Sequence, residues 1–313
     1  MAAEGRSGLA DTGHDIDDRY AARFLPSQVI RPKGRLTMTH PLSLAFLTIG
    51  DVGPVEAVCI ASEAGYQMVG LRILPAALSG EGPYPLLTND RLLAEVRAAV
   101  ADTGVAIADV EIIRLNEKSR TEDFLPFLER CERLDARHVL VAGDDPQEDR
   151  LTANFAGFCD LAREHGLTAD LEFMPWTKVP NLACARRIVE NAGRSNGGVL
   201  VDALHFGRSN TTLDDIRVLP KTMINYAQVC DGAVPYDASD AGLIATARGA
   251  RLMPGEGGID LEGMIQALPD GVTLSVEIPN LELAKTKGPL ERARMARDAT
   301  VRLLERVGRL ASD

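Results

Sequence analysis

The stretch VDALHFGRS (Val201–Ser209) ends an apolar run with an aspartate, a histidine three residues later and an arginine three beyond that. Asp202 has two plain uses: it can cap a helix that starts at the next residue, or it can ligate a cation beside a substrate. His205 belongs to the side-chain type whose pKa, about 6.5 when unperturbed, suits proton shuttling. Other apolar runs also end in oxygen-bearing side chains: Glu172 in TADLEFMP, Gln228 and Asp231 in INYAQVCDG, and Glu277 in VTLSVEIP. If Glu172, Asp202, Gln228 and Glu277 converge, their carboxylates repel, and at least one protonates unless a cation neutralises the group. Oxygen donors of this kind suit Mn²⁺, Mg²⁺ or Co²⁺ better than a thiolate-loving ion. Any one of them alone reads equally well as a cap or a salt-bridging group.

The elements that must position these residues repeat along the chain. From Pro41 onward, apolar runs alternate with helix-period segments. The runs are Leu42–Gly50, Tyr66–Leu74, Val105–Leu115, His138–Gly143, Thr168–Pro175, Gly197–Phe206, Ile224–Gly232 and Val272–Pro279. Pro54 suits a first helical turn, Asn89 a cap and Gly104 a stop. Helices are expected near 181–192, near 212–218 and over 291–307, with a long loop between the seventh strand and IDLEGMIQAL. Continuous Val/Ile/Leu-rich strands imply burial on both faces, hence a parallel sheet. Eight such units predict an α/β fold, a closed (β/α)8 TIM barrel, and no GxGxxG follows the first strand. In such a barrel the chemistry lies at the C-terminal strand ends, where the four oxygen-bearing residues stand.

These strand-end residues, together with RLMPGEGGIDLEG (Arg251–Gly263), resemble the sugar phosphate isomerase/epimerase family with its xylose isomerase-like barrel. The resemblance runs from about Pro41 to Val307. It implies that Glu172, Asp202, Gln228 and Glu277 bind one divalent metal, and that His205 and Arg208 contact substrate. Ketose 3-epimerases of the family present a histidine where Gln228 stands. A glutamine there is similar to the metal-dependent 3-dehydroshikimate dehydratases. An amide oxygen favours Mn²⁺ or Mg²⁺, with Co²⁺ next.

The expected activity is a divalent-metal-dependent isomerase or epimerase of a sugar or sugar-like keto compound, working by proton transfer through an enediolate. Glu172 and Glu277 are the candidate proton carriers, with His205 as a third catalytic candidate. The alternative is a lyase, a dehydratase of a cyclic keto acid such as 3-dehydroshikimate or an inosose, with His205 protonating the leaving hydroxyl. Arg72, Arg208 and Arg251 are candidate substrate-binding cations, and Arg114 lies near them. Two or more pointing inward would indicate an acidic or phosphorylated substrate. Trp176 is a candidate wall over a ring. Glu111 reads as a partner for one arginine or as an ordinary barrel residue, and Glu256 as a loop-fixing acceptor.

Bulk properties narrow the classes. The net charge of −11 argues against a nucleic-acid partner. The scarcity of histidines argues against a three-zinc repair nuclease. Five scattered cysteines without CxxC spacing read as reduced thiols in a cytoplasmic protein. No apolar run reaches membrane-spanning length, and no secretory h-region opens the chain. Residues 1–37 read as a polar arm, mobile or wrapped peripherally, and residues 38–313 as a single barrel domain. A homo-oligomer acting on a small molecule is the expected assembly.

Overall fold

A computed structural model describes residues 37–75 and 84–311; the expected arm, apart from Thr37, lies outside the described residues. Eight parallel strands close into a barrel in chain order. They are β1 (Leu42–Leu44), β2 (Met68–Arg72), β3 (Ala106–Leu115), β4 (His138–Gly143), β5 (Thr168–Glu172), β6 (Gly197–Asp202), β7 (Tyr226–Val229) and β8 (Thr273–Val276). β1 pairs with β8, Ser43 opposite Ser275, and closes the ring. Outside the barrel, Thr37–Met38 pairs antiparallel with Leu310–Ala311.

The helices that alternate with these strands are α1 (Pro54–Ala64), α2 (Asp90–Thr103), α3 (Leu125–Arg133), α4 (Glu148–Glu164), α5 (Leu182–Ala192), α6 (Ala203–Arg208), α7 (Leu213–Arg217), α8 (Asp240–Gly249), α9 (Leu261–Ala267), α10 (Leu281–Ala284) and α11 (Pro289–Arg306). Their boundaries follow local chemistry. Asn89 accepts from the Leu92 amide and starts α2, and Gly104 at φ 72° ends it. Asn181 caps α5 in the same way. Strand periodicity then divides the apolar residues. Val139 and Val141 of β4 face the helices, while Leu140 and Ala142 join Ile112, Met174, Leu200 and Tyr226 in a smaller cluster inside the barrel.

Three expectations change. The first strand stops at Leu44, and Phe46–Ile49 forms a 3-10 helix. Thr48 Oγ1 donates to the Val276 carbonyl and accepts from the Ile278 amide, replacing ladder bonds that a longer strand would make. The sixth strand stops at Asp202, and ALHF lies in α6 instead. The expected long loop after β7 contains α8, capped by Ser239. Glycines and alanines in DAGLIATARG give little amphipathic signal, so the helix was not legible from periodicity.

Candidate metal centre and active site

The strand ends bring Glu172, Asp202, Gln228 and Glu277 to one buried region at the C-terminal mouth of the barrel. Asp202 serves both of its possible uses at once. Its Oδ1 accepts from the His205 amide and caps α6, while its Oδ2 accepts from Arg251 Nη1 at 2.5 Å. Ligand atoms of Glu172, Asp202 and His205 lie within 4.8 Å of one another, spacing that suits a metal ion. His205 Nε2 stands 3.5 Å from Glu172 Oε1 and 3.8 Å from Asp202 Oδ1. Gln228 Nε2 donates to Glu277 Oε1 at 3.1 Å, which leaves the Gln228 amide oxygen buried and unpartnered.

Electrostatics follow from burial. Desolvation, then the charges of Asp202 and Glu277, hold Glu172 well above the ordinary carboxylate range. Desolvation likewise raises Glu277 to about 8, with Arg251 opposing. Burial pushes Asp202 up too, but Arg251 and His205 outweigh it and hold its carboxyl low. Arg251 supplies the main counter-charge: its Nη2 reaches Glu277 Oε2 at 2.8 Å while Nη1 holds Asp202. Three clustered carboxylates, one unpartnered amide oxygen and a single bridging guanidinium fit a divalent cation.

The arginines correct part of the sequence reading. Arg251 lines the cavity, yet both terminal nitrogens are turned to the carboxylates rather than presented as a free anion clamp. It precedes Leu252, whose bridge to Asp231 fixes the chain beside β7 and aims Arg251 at the barrel axis. Arg208 does not line this cavity. It donates to the Ala233 carbonyl and lies over the Tyr236 ring. One helical turn beyond His205, about 4.5 Å along α6, carries it to the loop after β7. Arg72 does line the cavity, donating to Glu111 at 2.7 Å and lying over Phe46. Arg114 lines it while paired with Asp144.

His205 is buried beside Glu172 and Asp202. Burial lowers its pKa to about 4, which leaves the ring neutral near pH 7. Trp176 meets it edge-on, with ring centroids 5.0 Å apart. The cavity is about 440 Å³, and Ile112, Leu140, Met174 and Trp176 give it an apolar wall.

Sequence reasoning missed Arg292 and Asp51, an ion pair on the cavity wall formed between α11 and the segment before α1. A contact between residues 241 positions apart leaves no local signal. It also missed the work of Asp231. That carboxylate accepts from the amides of Gly232, Gly255, Gly257 and Ile259 and ties down the PGEG loop. Glu256 accepts from the Met253 amide, as its position in the loop predicted.

Eight parallel strands in a closed ring, with Glu172, Asp202 and Glu277 at the C-terminal ends of three of them, define a TIM barrel with a carboxylate-rich mouth. The chain belongs to the xylose isomerase-like TIM barrel family, whose pattern matches residues 58–300. It is 25% identical over 198 residues to an inosose isomerase of Bacillus licheniformis, covering 59% of this chain and 69% of that protein. Among solved structures, an IolI protein with a bound zinc atom superimposes with a TM-score of 0.71 at 18% identity, over 85% of this chain and 99% of that one. A D-psicose 3-epimerase determined with D-fructose gives 0.64 at 13% identity, over 86% and 99% of the two chains. No helix among the described residues is long and apolar enough to cross a membrane.

Proposed function

We propose that this chain is a divalent-metal-dependent isomerase or epimerase of a sugar or sugar-like keto compound. The observation that carries the reading is the convergence of Glu172, Asp202, Gln228 and Glu277 at successive strand ends, with Arg251 bridging two of them. The zinc in the IolI structure and the inosose isomerase relative support it. The oxygen donors of Glu172, Asp202 and Glu277, with Gln228 offering an amide oxygen, favour Mn²⁺ or Mg²⁺, although the His205 imidazole also lies within ligand spacing of two of them. Such an ion acts as a Lewis acid on a carbonyl or hydroxyl oxygen and acidifies the neighbouring C–H.

The chain's own residues carry the proton. Glu172 ends β5 and Glu277 immediately follows β8, two strands that are not neighbours in the barrel. One, ionised, takes a proton from carbon; the other, protonated, delivers its own proton to the opposite face of the enediolate. Their raised pKa values suit carboxyls that exchange protons near neutral pH. Arg251 holds Asp202 and Glu277 in place, and His205, neutral and braced by Trp176, offers a hydrogen bond to a substrate oxygen. The dehydratase alternative would need His205 to protonate a leaving hydroxyl, a task that its lowered pKa does not favour in the metal-free protein.

Elemental analysis of the purified chain tests the metal. Glu277→Gln and Asp202→Asn should each lose bound Mn²⁺ or Mg²⁺, and full retention by both variants would sink the proposal. Incubation with an inosose or a ketohexose in D₂O should show solvent deuterium entering carbon without water loss. Enone or aromatic absorbance would favour the dehydratase.

A further inference from the structure

A second set of buried polar side chains lies inside the barrel beneath the candidate metal centre. Inward positions alternate along a strand. Asp109 therefore stands one inward step below Glu111, Tyr226 one below Gln228, and Ser275 one below Glu277. Ser43 pairs in register with Ser275 and shares its face. All four are fully buried. Both carboxylate oxygens of Asp109, Oγ of Ser43 and of Ser275, and Oη of Tyr226 have no hydrogen-bond partner.

On the adjacent strand β2, a Cβ at Gly70 would lie 2.9 Å from Asp109 Oδ2, so only glycine leaves that carboxylate its position. His138 stacks on Tyr226 at 5.1 Å and fixes the ring. The nearby Asp170 makes a useful contrast, because Thr168 and Asn225 donate to its two oxygens. Charge separates Asp109 in the same way. Arg72 pairs with Glu111, and Arg251 with Asp202 and Glu277, while no cation pairs with Asp109 among the described residues.

A proton on Asp109 would cancel its charge, but it leaves the hydroxyls of Ser43, Ser275 and Tyr226 and both Asp109 oxygens without a hydrogen bond to one another. A cation bridges several oxygens at once. With one free carboxylate among neutral hydroxyls, the donor charge suits a monovalent ion better than a divalent one. We propose that Asp109, Ser43, Ser275 and Tyr226 bind a monovalent alkali cation inside the barrel, separate from the divalent-metal centre at its mouth.

Thermal unfolding of the full chain tests this in KCl, NaCl or choline chloride at equal ionic strength. One alkali ion should raise Tm by about 2–4 °C over choline, saturably. Asp109→Asn and Ser275→Ala should abolish or weaken the dependence, whereas Glu277→Gln should retain it. Crystals grown in the chloride of Rb⁺ should give an anomalous peak within bonding distance of Asp109; this needs no variant to fold. Equal Tm values in all three salts, a dependence lost in Glu277→Gln but kept in Asp109→Asn, or density with no anomalous signal at Asp109 would each overturn the proposal.

Discussion

Arg251 is the residue on which the geometry of the candidate metal centre turns. It is buried, and its fork bridges two carboxylates that would otherwise repel. Breaking a buried pair from one side leaves uncompensated charge and costs about 3–5 kcal/mol. Arg251→Met should therefore destabilise the metal-free protein by about that amount, and added Mn²⁺ should restore part of the loss. Urea unfolding with and without the metal measures both effects. Trp176 acts through contact with His205. An aromatic pair of this kind is worth about 0.5–1.5 kcal/mol, so Trp176→Ala should raise KM about two- to tenfold with a smaller change in kcat. Steady-state kinetics on the substrate identified by deuterium exchange would check it.

The element that decides whether Arg251 arrives is the loop after α8. Asp231 accepts from four backbone amides, and a Cβ at Gly257 would collide with Asp231 and the Gly232 carbonyl. Hydrogen bonds to a charged acceptor are worth about 1.5–3 kcal/mol each but do not add fully. Asp231→Ala is expected to destabilise the chain by about 3 kcal/mol and to speed amide hydrogen exchange at Gly255–Ile259. Unchanged exchange there would mean that the glycines alone hold the loop. The PGEG phrase was visible in the sequence, and so was Asp231, but nothing in a linear reading joins residues more than 20 positions apart into one hydrogen-bonded knot.

At the scale of the whole molecule, the barrel buries groups whose pKa values move in opposite directions. Burial lowers His138 and His205 to about 4, so each stabilises the fold only where the unfolded chain is also neutral, above about 6.5. Desolvation raises Asp170 to about 7 and Glu277 to about 8. A raised carboxyl favours the folded state at low pH, and that contribution is lost as pH climbs through the folded pKa. The two effects oppose each other below about 6.5; above it only the carboxylate effect remains. The metal-free protein should thus lose stability between pH 6.5 and 8, and Glu277→Gln should flatten the slope. Unfolding midpoints in chelator across that range give the test, and a divalent ion should reverse the trend by favouring ionised carboxylates.

The amino-acid sequence by itself determined the barrel and the positions of its acids. Strand hydrophobicity and turn chemistry are local, and in a closed parallel barrel each strand end must face the same mouth. Hence Glu172, Asp202, Gln228 and Glu277 were legible as a set before any coordinates, whereas Glu111 read equally well as an arginine's partner or as an ordinary barrel residue. Tertiary structure alone decided where the cations point. Long guanidinium side chains reach several ångströms from their backbone, so one turn of α6 sends Arg208 away from the cavity, while a loop fixed by Asp231 sends Arg251 between two carboxylates. The lowered pKa of His205 and the raised pKa of Asp109 were likewise hidden, because both arise chiefly from burial by residues distant in the chain.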